Sequence, residues 1–80
     1  MWYSGTVWLA EGKVGYDYNV KAYSEGSTYG IENNGRISKL QIRKHGENKD
    51  LVGYDRGWCV PIPDDDEVKA VYQILLKKYN

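Results

Sequence analysis

The chain has 80 residues, which is enough for one domain with a single core and too few for two. Its 11 basic residues balance its 11 acidic residues, so the chain as a whole has no electrostatic preference for nucleic acid. With one cysteine, no signal peptide and no long apolar run, we expect neither a disulfide nor a membrane span, but one soluble cytosolic domain over residues 1–80.

Residues 2–10 and 14–23 read as two strands of a hairpin. If Glu11 and Gly12 form the connecting loop, every second cross-strand pair joins apolar residues or glycine. These core-face pairs are Leu9 with Val14, Val7 with Tyr16, Gly5 with Tyr18, and Tyr3 with Val20. On the opposite face Trp8 lies across Gly15, and an aromatic side chain over a glycine stabilises a position where the sheet has no side chain of its own to pack.

Residues 24–35 contain three glycines and end in Asn-Asn-Gly, which predicts an irregular loop held down by Tyr29 and Ile31. A third strand follows over residues 36–44, with Leu40 and Ile42 on the core face. The other face of this strand would carry Ile37, Lys39, Gln41 and Arg43.

After a polar turn at residues 45–50, residues 51–58 read as a fourth strand. Strict alternation places four of its side chains on one face, namely Val52, Tyr54, Arg56 and Trp58.

Residues 64–80 show a clear helical period. The apolar stripe consists of Val68, Val71, Tyr72, Leu75 and Tyr79. Asp64, with Glu67 three residues later, predicts the N-cap, and the lysines in the last turn match the helix dipole. Since no other segment is helical, we expect this stripe to pack against the strands.

The predicted fold is therefore α+β, a four-stranded antiparallel β-meander in the order β-β-β-β-α, with the C-terminal helix packed on one face. The uncovered face would remain open to solvent or to a partner. Its side chains would include Trp8, Lys21, Lys39, Gln41 and Arg43. The chain also has eight tyrosines, three tryptophans and no phenylalanine, which is typical of a thin domain and of binding surfaces alike.

Basic residues are concentrated in residues 36–44, which contain no acid. One interpretation of Arg36, Lys39, Arg43 and Lys44, with Arg56 on the next strand, is a phosphate-binding patch that uses Trp8 or Trp58 for stacking. An ordinary solvated face with edge-guarding lysines explains the same pattern.

The string Tyr-Asp-Arg-Gly-Trp at residues 54–58 also allows two interpretations. Tyr54, Arg56 and Trp58 are residue types found at contact hot spots and equally at the edges of cores. The candidate binding residues, for a protein or an anion, are Trp8, Arg36, Lys39, Arg43, Tyr54, Arg56 and Trp58.

Catalytic and metal-binding patterns are weak. The acidic run at residues 64–67 lacks the spacing of a Ca²⁺ loop and is explained by the start of the helix. His45 stands alone in a polar turn, and no glycine motif typical of a phosphate loop is present. We expect no cofactor, no metal and no enzymatic activity.

The segment EGSTYGIENNGRISKLQIRK, followed by VGYDRGW and a terminal LLKKYN, resembles a group of small uncharacterised proteins of Gram-positive bacteria and their phages. The resemblance spans nearly the whole chain and carries no active-site motif. It implies a free-standing domain carried by a phage or another mobile element. By analogy, such a protein binds and blocks a host protein, for instance a defence nuclease.

We therefore expect a non-enzymatic protein-binding module, an inhibitor of a host defence protein located in the host cytosol. The alternative is a nucleotide or single-stranded nucleic-acid binder that uses the basic, aromatic sheet face. A homodimer formed through an edge strand or the open face is compatible with both functions, and no membrane partner is expected.

Overall fold

The computed structural model describes residues 1–80, apart from the side chain of Asn33. Five strands form one antiparallel sheet in chain order: β1 (Trp2–Leu9), β2 (Val14–Ala22), β3 (Ile37–Lys44), β4 (Asp50–Asp55) and β5 (Trp58–Val60). A 3₁₀ turn at Ala10–Gly12 joins β1 to β2, and the helices are α1 (Ile31–Asn34) and α2 (Asp66–Tyr79). The α+β class and the C-terminal helix are confirmed, but the sheet has five strands rather than the predicted four.

The extra strand arises because the predicted fourth strand is interrupted by a turn. Arg56 takes a left-handed φ of 56° before Gly57, so the chain reverses and Trp58 pairs with Tyr54. The Asp55 N–H donates to the Gly57 carbonyl at 2.9 Å across this turn. Tyr54, Arg56 and Trp58 therefore do not lie along one face of one strand, as alternation predicted.

The register of the first hairpin is confirmed, but its connection spans residues 10–13 and not only the predicted Glu11 and Gly12. Leu9 pairs with Val14, and the ladder continues without a break to Trp2, which pairs with Lys21. A short turn between strands of matching alternation leaves one register that places Tyr3, Val7 and Leu9 on the same face as their apolar partners.

Ile37 lies in the core and not on the open face. A register shift between Lys21 and Ala22 leaves Ser38 as the extra residue of β3, because Lys21 pairs with Lys39 while Ala22 pairs with Ile37. This bulge turns the Ile37 side chain to the inner face, where it is fully buried.

The core lies between α2 and the inner face of the sheet. Val68, Val71, Tyr72 and Leu75 of α2 are buried, which confirms the apolar stripe, while Tyr79 is half-buried at its end. The sheet contributes fully buried side chains from its three central strands, including Val20, Ile42 and Val52. Burial of each such aliphatic side chain stabilises the folded state by about 1.5–3 kcal/mol.

The N-cap of α2 is Asp65 and not the predicted Asp64. The Asp65 carboxylate accepts hydrogen bonds from the N–H groups of Glu67 at 2.9 Å and Val68 at 3.2 Å. Asp64 instead lies 2.8 Å from the Lys69 ammonium in solvent. The cap stands one residue later because the extended backbone of Asp65 precedes the first helical residue.

The segment between β2 and β3 is more ordered than the predicted loop. It contains the single helical turn α1, and Ile31 anchors it in the core, whereas the Tyr29 side chain is exposed. Asn80, at the end of α2, accepts from the Ile37 N–H at 3.1 Å and donates to the Ile31 carbonyl at 3.4 Å. This segment is thereby fixed beside the end of the helix. Within the residues described, no helix is long and apolar enough to cross a membrane.

Candidate functional site

The middle of the uncovered sheet face is a hydrogen-bonded polar platform. Ser4 donates to Asn19 at 2.5 Å, Asn19 to Gln41 at 3.1 Å, and Gln41 to Asp50 at 3.1 Å, so one chain of bonds crosses four strands. Arg43 Nε also donates to Asp50, and this bond holds the pKa of the Asp50 carboxyl below its usual value. The predicted cation Arg43 is therefore neutralised by a partner.

One end of this face carries Trp8 and His45. The Trp8 ring covers Gly15, as predicted, and its centroid lies 5.1 Å from that of His45. His45 Nδ1 lies 2.8 Å from Asp17, which also accepts a bond from the Thr6 hydroxyl at 2.7 Å. These two bonds, that of His45 first, lower the pKa of Asp17.

Thr6, Asp17 and His45 are in contact, but their hydrogen bonds are not arranged for nucleophilic catalysis. A catalytic triad places the histidine between the hydroxyl and the carboxylate, whereas here the carboxylate lies between the other two groups. Among the residues that the structure describes, no cluster of three or more His, Cys, Asp and Glu side chains is placed to hold a metal ion.

The opposite end of the face contains a hollow of about 400 Å³, here called the basic hollow. Three cationic side chains line it, from β2, β3 and the turn before β5: Lys21, Lys39 and Arg56. Tyr23 and Tyr29 line it as well, together with Ser27 and Ser38. The sheet register creates the hollow, because it pairs Lys21 directly with Lys39.

The charges of the basic hollow are only partly compensated. Asp55 lies 3.8 Å from Lys39 and 3.9 Å from Arg56, so one carboxylate faces two cations. Lys21 forms no ion pair within the described chain and lies 5.9 Å from the Trp2 ring centroid.

Aromatic rings surround these cations. Lys21 Nζ lies 5.6 Å from the Tyr23 ring centroid, and this neighbouring ammonium lowers the pKa of the Tyr23 hydroxyl. The Arg56 guanidinium lies 5.8 Å from the Tyr29 ring centroid. Trp2, Tyr23 and Tyr29 nevertheless remain 54%, 49% and 58% exposed, so their ring faces are available to a ligand.

A second hollow adjoins the first and shares Tyr23 with it. Arg36 and Lys78 line this hollow beside Tyr3 and Tyr79. Five basic residues therefore surround one end of the molecule, here called the basic end: Lys21, Arg36, Lys39, Arg56 and Lys78.

The charges of the neutral chain are thus separated in space. The acidic run at residues 64–67 stands at the start of α2, which is about 21 Å long at 1.5 Å per residue, and the lysines stand in its last turn. The net charge of zero, which argued against an anion-binding patch, does not describe the basic end.

The seven predicted site residues do not form one site. Lys39 and Arg56 line the basic hollow, Arg36 lies beside it, and Trp8 and Arg43 lie elsewhere on the open face.

Tyr54 and Trp58 lie on the helix side of the sheet. Tyr54 is buried and its hydroxyl donates to the Tyr29 carbonyl at 2.8 Å. Trp58 is half exposed, with ring centroids 5.0 Å from Tyr54 and 5.9 Å from Tyr72.

Sequence reasoning missed Trp2, Tyr23 and Tyr29 as neighbours of the cations. The predicted hairpin register, extended by one pair beyond Tyr3 and Val20, places Trp2 opposite Lys21, so this signal was present in the sequence. Tyr29 had no such signal, because a loop residue has no register.

Comparison with known proteins places the chain in one family. The family model described as a domain of unknown function (DUF7678) matches residues 1–80. No curated protein and no solved structure matches the chain. Since the match covers the whole length, the chain belongs to the DUF7678 family.

Proposed function

We propose that this protein is a non-enzymatic protein-binding module and that its contact surface is the basic end. The observation that supports the proposal is the basic hollow, where Lys21, Lys39 and Arg56 stand among exposed aromatic rings. Tryptophan, tyrosine and arginine are the residue types that dominate binding energy at protein interfaces.

The polar platform argues for a compact partner surface and against a long polyanion. Arg43 is paired with Asp50, and Asp17 lies against His45, so the positive field ends where the platform begins. A nucleic-acid strand that followed the face would have only a few of its phosphates near the cations of the basic hollow. A compact cluster of carboxylates, in contrast, fits the basic hollow.

The partner we propose is therefore a protein with an acidic patch. The resemblance to small phage proteins adds that this partner is a host protein whose activity the chain inhibits. Blocking a partner requires only a stable contact surface, and the hydrogen-bonded platform holds such a surface rigid.

The test is capture of partners from nuclease-treated bacterial lysate by the wild type and by charge-reversal variants. Lys21→Glu with Arg56→Glu reverses two cations of the basic hollow. Lys49→Glu reverses an exposed lysine in the turn between β3 and β4 and serves as the matched control.

We expect a specific protein that the wild type and Lys49→Glu retain and that the double variant loses. Recovery of that protein by all three, or of no specific protein by any, would contradict the proposal. Circular dichroism checks that the double variant is folded, and Tyr29→Ala, which truncates an exposed ring, repeats the test without a charge change.

A second candidate, a nucleotide or a short single strand, is favoured by the basic hollow itself. Its three cations fit a phosphate group, and Tyr23 and Tyr29 offer ring faces on which a base stacks. If all three cations meet phosphates, the affinity for a thymidine oligonucleotide falls roughly 20-fold between 50 and 200 mM salt. Tryptophan fluorescence from Trp2 reports this titration, and a flat response to salt would remove this candidate.

A further inference from the structure

The two edges of the sheet differ in how they are protected against pairing. β5 is three residues long and is followed by Pro61. β1 has eight residues, Trp2–Leu9, with no charge, no proline and no register shift in its pairing with β2. Edge strands of monomeric proteins are usually short or carry a charged residue, a proline or a bulge that prevents pairing. β1 has none of these features, so it is an unprotected edge.

The free backbone groups of β1 follow from its ladder with β2. Met1 and Ala22 exchange both main-chain hydrogen bonds, each at 3.0 Å. In an antiparallel ladder every second pair exchanges bonds, so Tyr3, Gly5, Val7 and Leu9 bond inward to β2. The N–H and C=O groups that point away from the sheet belong to Trp2, Ser4, Thr6 and Trp8.

We propose that β1 pairs antiparallel with β1 of a second copy of this chain, with Gly5 on the two-fold axis. In this register Trp2 faces Trp8 of the second copy and Ser4 faces its Thr6. All four outward-pointing residues then exchange main-chain bonds. A shift by two residues in either direction leaves one of them unpaired, so the proposed register uses the edge most fully.

The side chains agree with this register on both faces. On the open face Trp2 stands opposite Trp8 of the second copy, with each ring leaning over its own β2 strand, and no like charges meet because β1 has none. On the inner face Tyr3 meets Val7 of the second copy, which covers apolar side chains that β1 leaves half exposed. Gly5 meets Gly5 at the axis without steric conflict.

The assembly closes as a dimer. The interface uses the same strand of both copies, and the outer edges of the resulting ten-stranded sheet are the short β5 strands. Because the two strands run in opposite directions, the two basic hollows lie at opposite ends of one continuous face. The dimer therefore offers two identical contact sites on the same side.

The test is the mass in solution, measured by size-exclusion chromatography with light scattering over a concentration series. Thr6→Pro removes an outward N–H without touching the ladder with β2, and Thr6→Ala is the matched control that keeps the N–H. We expect twice the chain mass for the wild type and Thr6→Ala, and the single chain mass for Thr6→Pro. A monomeric wild type at every concentration, or a dimeric Thr6→Pro, would overturn the proposal.

Disulfide trapping tests the register and does not depend on the folding of the proline variant. In a Cys59→Ser background, Ser4→Cys together with Thr6→Cys places cysteines opposite each other at about 5.5 Å between Cα atoms, within disulfide reach. Ser4→Cys alone does not. We expect rapid oxidation to a covalent dimer for the double variant only, and equal cross-linking of the single variant would refute the register.

Discussion

A double-mutant cycle between Trp8 and Gly15 decides whether this tryptophan is part of the sheet or a free contact residue. A Cβ added at Gly15 would lie 2.7 Å from the Trp8 ring, so the ring has to move. Overpacking costs about 1–3 kcal/mol, and we take about 1–2 because the ring can swing toward solvent. Replacing glycine with alanine also raises the free energy of unfolding by about 0.5 kcal/mol, because alanine lowers the conformational entropy of the unfolded chain.

We therefore expect Gly15→Ala to lower the free energy of unfolding by about 0.5–1.5 kcal/mol when Trp8 is present. In the Trp8→Ala background the same change should raise it by about 0.5 kcal/mol, which gives a coupling of about 1–2 kcal/mol. Each kcal/mol corresponds to about 4–8 °C in Tm for a domain of this size.

The assay is urea unfolding followed by far-UV circular dichroism, because removal of a tryptophan changes the fluorescence signal. Gly53→Ala in the same two backgrounds is the control, since a Cβ there meets its nearest atom, on Val60, at 3.4 Å. An equal effect of Gly15→Ala in both backgrounds would refute the packing of the ring on the glycine. Trp8 would then be available as a contact residue.

Three further changes test the fold that supports the basic end. Asp65→Ala removes the N-cap and should cost about 1 kcal/mol, whereas Asp64→Ala breaks only an exposed ion pair and should cost almost nothing, as measured by urea unfolding. Gly30→Ala places a Cβ 1.7 Å from a backbone carbonyl oxygen and should cost more than about 3 kcal/mol, while Gly57→Ala, which meets no atom within 4 Å, should be neutral. Burial raises the pKa of Tyr16 from 10.0 to about 12, so its contribution to stability is complete below pH 10 and is lost toward pH 12; Tyr16→Phe should flatten the fall of stability in this range.

The parts of the fold that local pattern controls were predictable. The hairpin register followed from alternation across a short turn, and the helix from one stripe of apolar residues that includes Val71 and Leu75. Both depend on residues close together in sequence, where geometry leaves one arrangement that puts the alternating or helical apolar set on the core face.

The two errors in the sheet came from breaks in alternation. Ile37 was an apolar residue at a solvent-facing position, and such a conflict indicates a bulge. The turn at Arg56 gave a weaker signal, because arginine rarely adopts a positive φ and the only indication was the glycine after it.

The candidate site depends on distant neighbours, which is why the sequence predicted only some of its members. Arg36 and Arg43 stand close together in the chain, but Arg43 is neutralised by Asp50 while Arg36 lies at the basic end. Lys21 lies far from Arg56 in sequence and lines the same hollow. The number of basic residues in a run therefore overestimates the positive charge of a surface patch when acidic partners stand on the neighbouring strand.

Total charge is a poor guide to binding for a sheet covered by one helix. The helix dipole favours acids at its start and lysines at its end, so capping alone moves negative charge to one end of the molecule and positive charge to the other. Cross-strand pairs such as Arg43–Asp50 then neutralise the middle of the face. The cations that remain, Lys21 above all, gather at the end of the sheet that the helix C-terminus adjoins. A neutral chain of this architecture therefore presents a local positive field at one end, which is the feature that the proposed acidic partner would recognise.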